Sequence, residues 1–158
     1  MKKLLFLFLL LLFPITNSFA CSCIEVDESF SKKVEGGFSK SDLIITGKVV
    51  DINTEYVENN KPFGSPILYR FEIIKKLKGN LEKEVVEIIS EVDSSMCGYK
   101  FEFGKSYLVY AINSTYYSSL TNKEFDFVTS LCSRNQILKN VKKKELQKLK
   151  KLNRKEKK

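Results

Sequence analysis

Apolar residues follow three different rhythms along this chain. Leu4–Phe13 is an unbroken apolar run. Lys2 and Lys3 precede it, Pro14 ends it, and Ser18-Phe19-Ala20 supplies a small-x-small cleavage site, so residues 1–20 read as a secretory signal. The run is too short for a permanent membrane span. Cleavage there makes Cys21 the first residue of the mature chain. From residue 43 the rhythm changes to that of strands. Leu43–Ile52 is rich in Ile and Val, with Gly47 as a bending point. In Leu68–Leu77, Tyr69, Phe71 and Ile73 alternate with Arg70, Glu72 and Lys76. Glu84–Ser90, Tyr107–Ile112 and Phe125–Leu131 continue the series. Turns are expected at Asn59-Asn60, at Gly64 with Pro66, at Lys78-Gly79-Asn80, at Gly104-Lys105 and at Asn113. A short helix is expected over Asp27–Lys33, ending near Gly36-Gly37.

The third rhythm is helical. Leu138, Val141, Leu146, Leu149 and Leu152 form a stripe about 140° wide at 100° per residue. This predicts a C-terminal helix packed on the domain, with frayed residues after Leu152. Five antiparallel strands followed by a helix predict a mainly β fold, a small closed five-stranded barrel of the OB kind rather than a sandwich. The division is signal 1–20, domain 21–138, and Lys-rich helix and tail 139–158.

Charge sharpens that division. The chain has 158 residues and a formal charge of +8. Residues 139–158 alone hold eleven Lys/Arg and two Glu, and residues 21–138 are left at −3. The folded domain is therefore acidic and would repel a phosphate backbone, so no nucleic-acid partner is expected. Tyr69 and Phe71 read as core rather than as stacking residues. The basic segment reads as a solvated helix face, with contact to an anionic envelope surface as the sharper alternative.

Histidine is absent from the whole sequence. This removes Ser-His-Asp and Cys-His catalysis, HExxH helices and His-ligated zinc. Glu82/Glu84 and Glu124/Asp126 sit at alternate strand positions and read as a solvated face. No glycine-rich phosphate loop is present. The sequence thus supports no enzyme and no cofactor of its own.

The four cysteines, Cys21, Cys23, Cys97 and Cys132, are read as two disulfides of a secreted domain, with three pairings open. A bridge between residues two apart is strained, and crossed bridges would staple the N-terminus to the barrel. Each loop of about a hundred residues would contribute on the order of 4–5 kcal/mol in the chain-entropy model. A redox role for C-x-C lacks the C-x-x-C spacing and its βαβ context.

Several pieces in order carry a resemblance: C-x-C at the mature start, Phe38–Ile45 with Gly47-Lys48-Val49, and Gly64–Ile67. Lys78-Gly79, Ser94–Gly98, Tyr107-Leu108-Val109 and Thr129–Cys132 follow. Over about residues 21–135 the chain resembles the N-terminal, netrin-like domain of the tissue inhibitors of metalloproteinases. The resemblance implies the pairings Cys21 with Cys97 and Cys23 with Cys132. It also implies a secreted inhibitor, monomeric, whose partner is a zinc metalloproteinase that supplies the zinc. The α-amine and carbonyl of Cys21 would chelate that zinc. Ser22 would enter the S1′ pocket, Cys23 and Ile24 would follow the substrate groove, and Ser95 and Met96 would approach from the other side.

The departures are specific. Ser39 stands where the family has a further cysteine, and its partner is missing too. Ile24–Asp27 replaces a Pro-containing segment, and a Lys-rich tail replaces the C-terminal domain. The Lys- and Asn-rich composition suggests a bacterial chain. Two alternatives accompany the inhibitor reading: a non-inhibitory secreted or envelope-associated netrin-like module, and a lipoprotein acylated at Cys21. Ser18 and Phe19 fit ordinary cleavage better than lipid attachment.

Overall fold

The computed structural model describes residues 21, 23, 27–55 and 66–157. The signal segment, Ser22, Ile24 and the expected turns at Asn59-Asn60 and Gly64 lie outside the described residues. In chain order the elements are α1 (Phe30–Lys40), β1 (Leu43–Asn53), β2 (Pro66–Lys78), β3 (Val85–Glu91) and β4 (Ser106–Ser114). After these come a single helical turn, α2 (Ser118–Thr121), then β5 (Asp126–Val128), β6 (Gln136–Ile137) and α3 (Lys143–Glu156).

The strands hydrogen-bond in the order β1-β2-β3-β5-β4, and β4 returns to β1 to close a five-stranded barrel. The first half of β1 is paired on both sides, with Lys78–Glu72 of β2 and with Ala111–Ser106 of β4. A register shift at Thr46/Gly47 bends the strand where it must serve both neighbours. Strands buried on both faces need continuous apolar runs, which explains Leu43-Ile44-Ile45. Leu43, Ile45 and Val49 face the barrel interior with Tyr69, Phe71, Ile88 and Val109. Ile44 faces outward, where α1 and α3 cover it with Val34, Phe38 and Leu149. A smaller cluster, Leu68, Ile89 and Tyr117, lies beneath α2.

Phe101 plugs the barrel although it lies in no strand. Its ring meets those of Tyr69, Phe71 and Tyr107 edge-on, each at 5.0 Å between centroids.

Several expectations need correction. The strands are not all antiparallel: β5 runs parallel to β3, pairing Phe127 with Ile88 and Val128 with Ile89. The fifth strand is three residues long rather than Phe125–Leu131, because the chain leaves the sheet to form the Cys132 loop. Asn113 is not a turn but a β4 residue opposite Phe127. Asp126 is no solvated carboxylate: it is buried, accepts a hydrogen bond from Thr121 Oγ1 at 2.8 Å and lies 3.6 Å from Lys123 Nζ.

The first helix also differs from expectation. It starts at Phe30, with Ser29 as its N-cap, and runs through Gly36-Gly37 to Lys40. Gly37 is required there for close approach, since a Cβ would lie 2.8 Å from Arg134 Cδ. The last helix continues past Leu152 to Glu156, whose carboxylate reaches Lys78 Nζ at 3.3 Å.

Candidate functional site

Two disulfides gather the N-terminus and two loops at one end of the barrel. Cys21 is bonded to Cys97 and Cys23 to Cys132, with Cα separations of 5.3 Å in both. These are the pairs the resemblance implied. The bridges lie side by side: the sulfurs of Cys21, Cys97 and Cys132 are all within 4.8 Å of one another. Bridged sulfurs offer no thiolate, so this cluster is a covalent clamp and not a metal site of the protein itself.

The first loop is built around Asp93. Its carboxylate Oδ1 accepts from Ser95 N at 2.8 Å, and its carbonyl accepts from Met96 N and Gly98 N at 3.1 and 2.8 Å. The hydrogen bonds that Ser95 gives the carboxylate, its backbone N–H first, hold the carboxyl below the usual carboxylate range. Ser94–Met96 form one 3₁₀ turn, and Cys97 follows in the left-handed region at φ 62°. A Cβ at Gly98 would overlap the carbonyl oxygen of Glu91, so only glycine lets the chain turn back under the sheet here. Beyond it, Tyr99 N donates to Ser90 Oγ at 2.7 Å and Phe101 enters the barrel. The bridge carrying Cys21 is thus anchored in the hydrophobic core within four residues.

The second loop is bolted to β4. Thr129 Oγ1 donates to Tyr110 O at 2.6 Å, and Asn135 Oδ1 accepts from Tyr110 N at 2.9 Å. Asn135 Nδ2 donates to Thr129 Oγ1 at 2.8 Å, which locks the two ends of the loop together. Leu131 N donates to Cys97 O at 2.7 Å and joins this loop to the first. Arg134 reaches Glu145 of α3 with Nε at 3.2 Å and Nη2 at 3.0 Å. Tyr110 OH donates to the same carboxylate at 2.9 Å, and burial beside that negative charge pushes the phenol's pKa up. Tyr117 OH likewise bonds Glu91, at the root of the first loop.

Surface shape agrees with a presented ridge rather than an enclosed pocket. Cys21 and Cys97 are half-buried, while Cys23, Ser95, Leu131 and Cys132 are exposed. Met96 is half-buried beside Cys97. A shallow cleft of about 460 Å³ runs between α1 and the second loop, lined by Cys23, Lys33, Lys40, Leu131 and Arg134 among others. A larger depression, about 620 Å³ between β3 and residues 123–127, shares no residue with the bridged loops. Its Arg70, Glu87, Lys123 and Asp126 are engaged with one another.

The structure brings Cys21, Cys23, Ser95, Met96, Cys97 and Cys132 to this end of the barrel. Ser22 and Ile24 lie outside the described residues. Sequence reasoning missed the supports: Asp93, Thr129, Arg134, Asn135 and Glu145. Asp93 carried a signal, since Asp before Ser-Ser favours a side-chain-capped turn. Glu145 also carried one, standing four and seven residues before Leu149 and Leu152 on the apolar stripe. Thr129 and Asn135 had no local signal, because their partners lie on β4.

A five-stranded barrel whose amino terminus is clamped to two loops by paired disulfides has the architecture of a netrin-like module. The family model "Tissue inhibitor of metalloproteinase" matches residues 19–152, so the chain belongs to that family, whose members are inhibitors and not enzymes. No individual curated protein matches the chain.

Proposed function

We propose that the mature chain is a secreted inhibitor of a zinc metalloendopeptidase, acting through its first residue. The supporting observation is the bridge from Cys21 to Cys97, whose own turn is fixed by Asp93, Gly98 and the barrel core. With residues 1–20 removed, Cys21 has a free α-amine beside its carbonyl oxygen. The two form a five-membered chelate on a catalytic zinc, which keeps one coordination position for water or substrate. An α-amine titrates near 7.7–8, so the neutral form that can ligate costs little at neutral pH. The two bridges remove the ordering entropy that a free N-terminus would lose on binding.

In this reading Ser22 occupies the S1′ pocket and Cys23 with Ile24 lies in the groove. Ser95 and Met96 contact the enzyme from the opposite side. The protein contributes no metal; the zinc belongs to the enzyme. The two disulfides fit an oxidising compartment outside the cytoplasm.

The test is to compare chain 21–158 with a form carrying one extra alanine before Cys21. The native form inhibits a zinc endopeptidase at pH 7.5; the extended form loses inhibition by at least about a hundredfold, because the Cys21 nitrogen becomes a non-ligating amide and the free amine moves off the bridged residue. Both forms keep the same near-ultraviolet circular dichroism. Equal inhibition by the two forms defeats the mechanism. Intact mass of the naturally processed protein shows whether Cys21 is first and free of lipid, since acylation of its amine removes the ligand.

A further inference from the structure

We propose that the outer face of α3 docks on an anionic phospholipid surface, leaving the disulfide ridge free. α3 uses every apolar and acidic side chain it has inward or sideways. Leu146, Leu149 and Leu152 pack with Val34, Phe38, Leu77 and Leu108. Glu145 is 1% exposed and held by Arg134 and Tyr110. Glu156 faces Lys78, and Lys148 pairs with Glu35 of α1. What remains on the outside is Lys143, Lys144, Gln147, Lys150, Lys151, Arg154 and Lys155, all exposed. Among the described residues none of these cations pairs with a carboxylate.

An ordinary solvated helix face intersperses both signs, because like charges one turn apart repel. Here the like charges are concentrated instead, and β2 adds another. Lys75 comes against Lys150, and together with Arg154 it holds the Lys150 ammonium below the usual lysine range. Lys75, Lys150 and Arg154, three cations from two elements, therefore lie close enough to repel one another, and among the described residues none of the three is in an ion pair. That arrangement is favourable only when negative charge arrives from outside.

The form of the face selects the anion. It has one arginine, and the one aromatic ring at its margin, Phe30 of α1, is already covered by Lys144 Nζ at 4.3 Å, so it lacks free forked and stacking groups that read a defined ligand. The cations form two ridges, Lys143-Lys150-Arg154 and Lys144-Lys151-Lys155, over a length of roughly 20 Å at 1.5 Å per residue. The surface is convex, so a thin linear polyanion meets only one ridge at a time. Laterally mobile headgroups can gather around both ridges, with long Lys side chains reaching down to them. Binding stays peripheral. The helix's own apolar stripe is already buried, and no helix among the described residues is long and apolar enough to cross a membrane.

The experiment is co-sedimentation of the oxidised chain 21–158 with phosphatidylcholine vesicles, with and without phosphatidylglycerol. Partitioning onto the anionic vesicles is expected to exceed that onto neutral ones by about tenfold or more and to vanish near 0.5 M NaCl. K150E/K151E/R154E lowers it to the neutral-vesicle level with the near-ultraviolet spectrum retained. K48E/K100E, reversing exposed cations elsewhere, leaves it largely intact and separates the patch from net charge. Equal binding to both vesicle types, or undiminished binding by the α3 triple variant, overturns the proposal. So does capture by a soluble acidic polysaccharide without capture by the vesicles. The alanine-extended form binds vesicles like the native one, so this inference and the inhibitor reading fail separately.

Discussion

Asp93 shows how one carboxylate shapes the ridge. It accepts the Ser95 N–H, and the neighbouring bonds to its carbonyl close the turn that ends in Cys97. Its pKa is lowered in the folded protein, chiefly by those Ser95 hydrogen bonds. The stabilisation is therefore fully present above the unfolded value near 3.9 and is lost as pH falls through the lower, folded value. Acidification from about pH 4 towards pH 2 should release the turn while the barrel persists. The Ser95 amide proton resonance reports it directly, with a midpoint below the ordinary aspartate value. In Asp93→Asn that titration disappears. A Ser95 midpoint at or above about 4 would show that the carboxylate does not hold this turn.

At the scale of elements, one buried acid joins α3 to the disulfide loop. Glu145 takes Arg134 from the loop, Tyr110 from β4 and Gln136 from β6. Removing it strands Arg134 against α1, where it fills the space left by Gly37. Breaking a buried ion pair in this way typically costs about 3–5 kcal/mol, and losing a hydrogen bond to a charged group about 1.5–3 kcal/mol. Glu145→Ala is accordingly expected to lower stability by about 3 kcal/mol, and Tyr110→Phe by about half as much. Denaturant unfolding measures both, and helical ellipticity should fall in the first variant as α3 loosens. A loss under about 1 kcal/mol for Glu145→Ala would mean that the Leu stripe alone seats the helix.

These elements also show what the sequence made readable. Period-two alternation marked β2 because its faces differ in burial, and the Leu stripe marked α3 for the same reason at helical spacing. What stayed hidden depends on partners distant in sequence. The parallel β3–β5 pairing follows from barrel closure, not from any property of Phe127 or Val128. Gly36-Gly37 looked like a helix end, yet the helix runs on through both, and Gly37 leaves room there for Arg134, nearly a hundred residues later. The cysteines were visible as candidates for bridging. Their pairing was suggested only by resemblance, since spacing by itself leaves the crossed alternatives equivalent.

For the molecule as a whole, the bridges and the barrel core divide the work of holding the site. The interior is self-contained: Phe101 and the residues around it close the barrel without any cysteine. Both bridges instead tie the amino terminus to distant loops, across 76 and 109 residues. Their main thermodynamic effect falls on the unfolded chain, which they keep compact. Replacing Cys23 and Cys132 together by serine should therefore leave the barrel spectrum unchanged while reducing stability by about 4–5 kcal/mol. It should also steepen the urea dependence, since an unfolded chain with one bridge fewer exposes more surface. Inhibition should weaken more than the stability of the remaining fold requires, because Cys21 would then be held by one bridge and the residues after it would be free to move. An unchanged urea slope with unchanged inhibition would place the rigidity of the N-terminus in the Cys21–Cys97 bridge and its Asp93 turn alone.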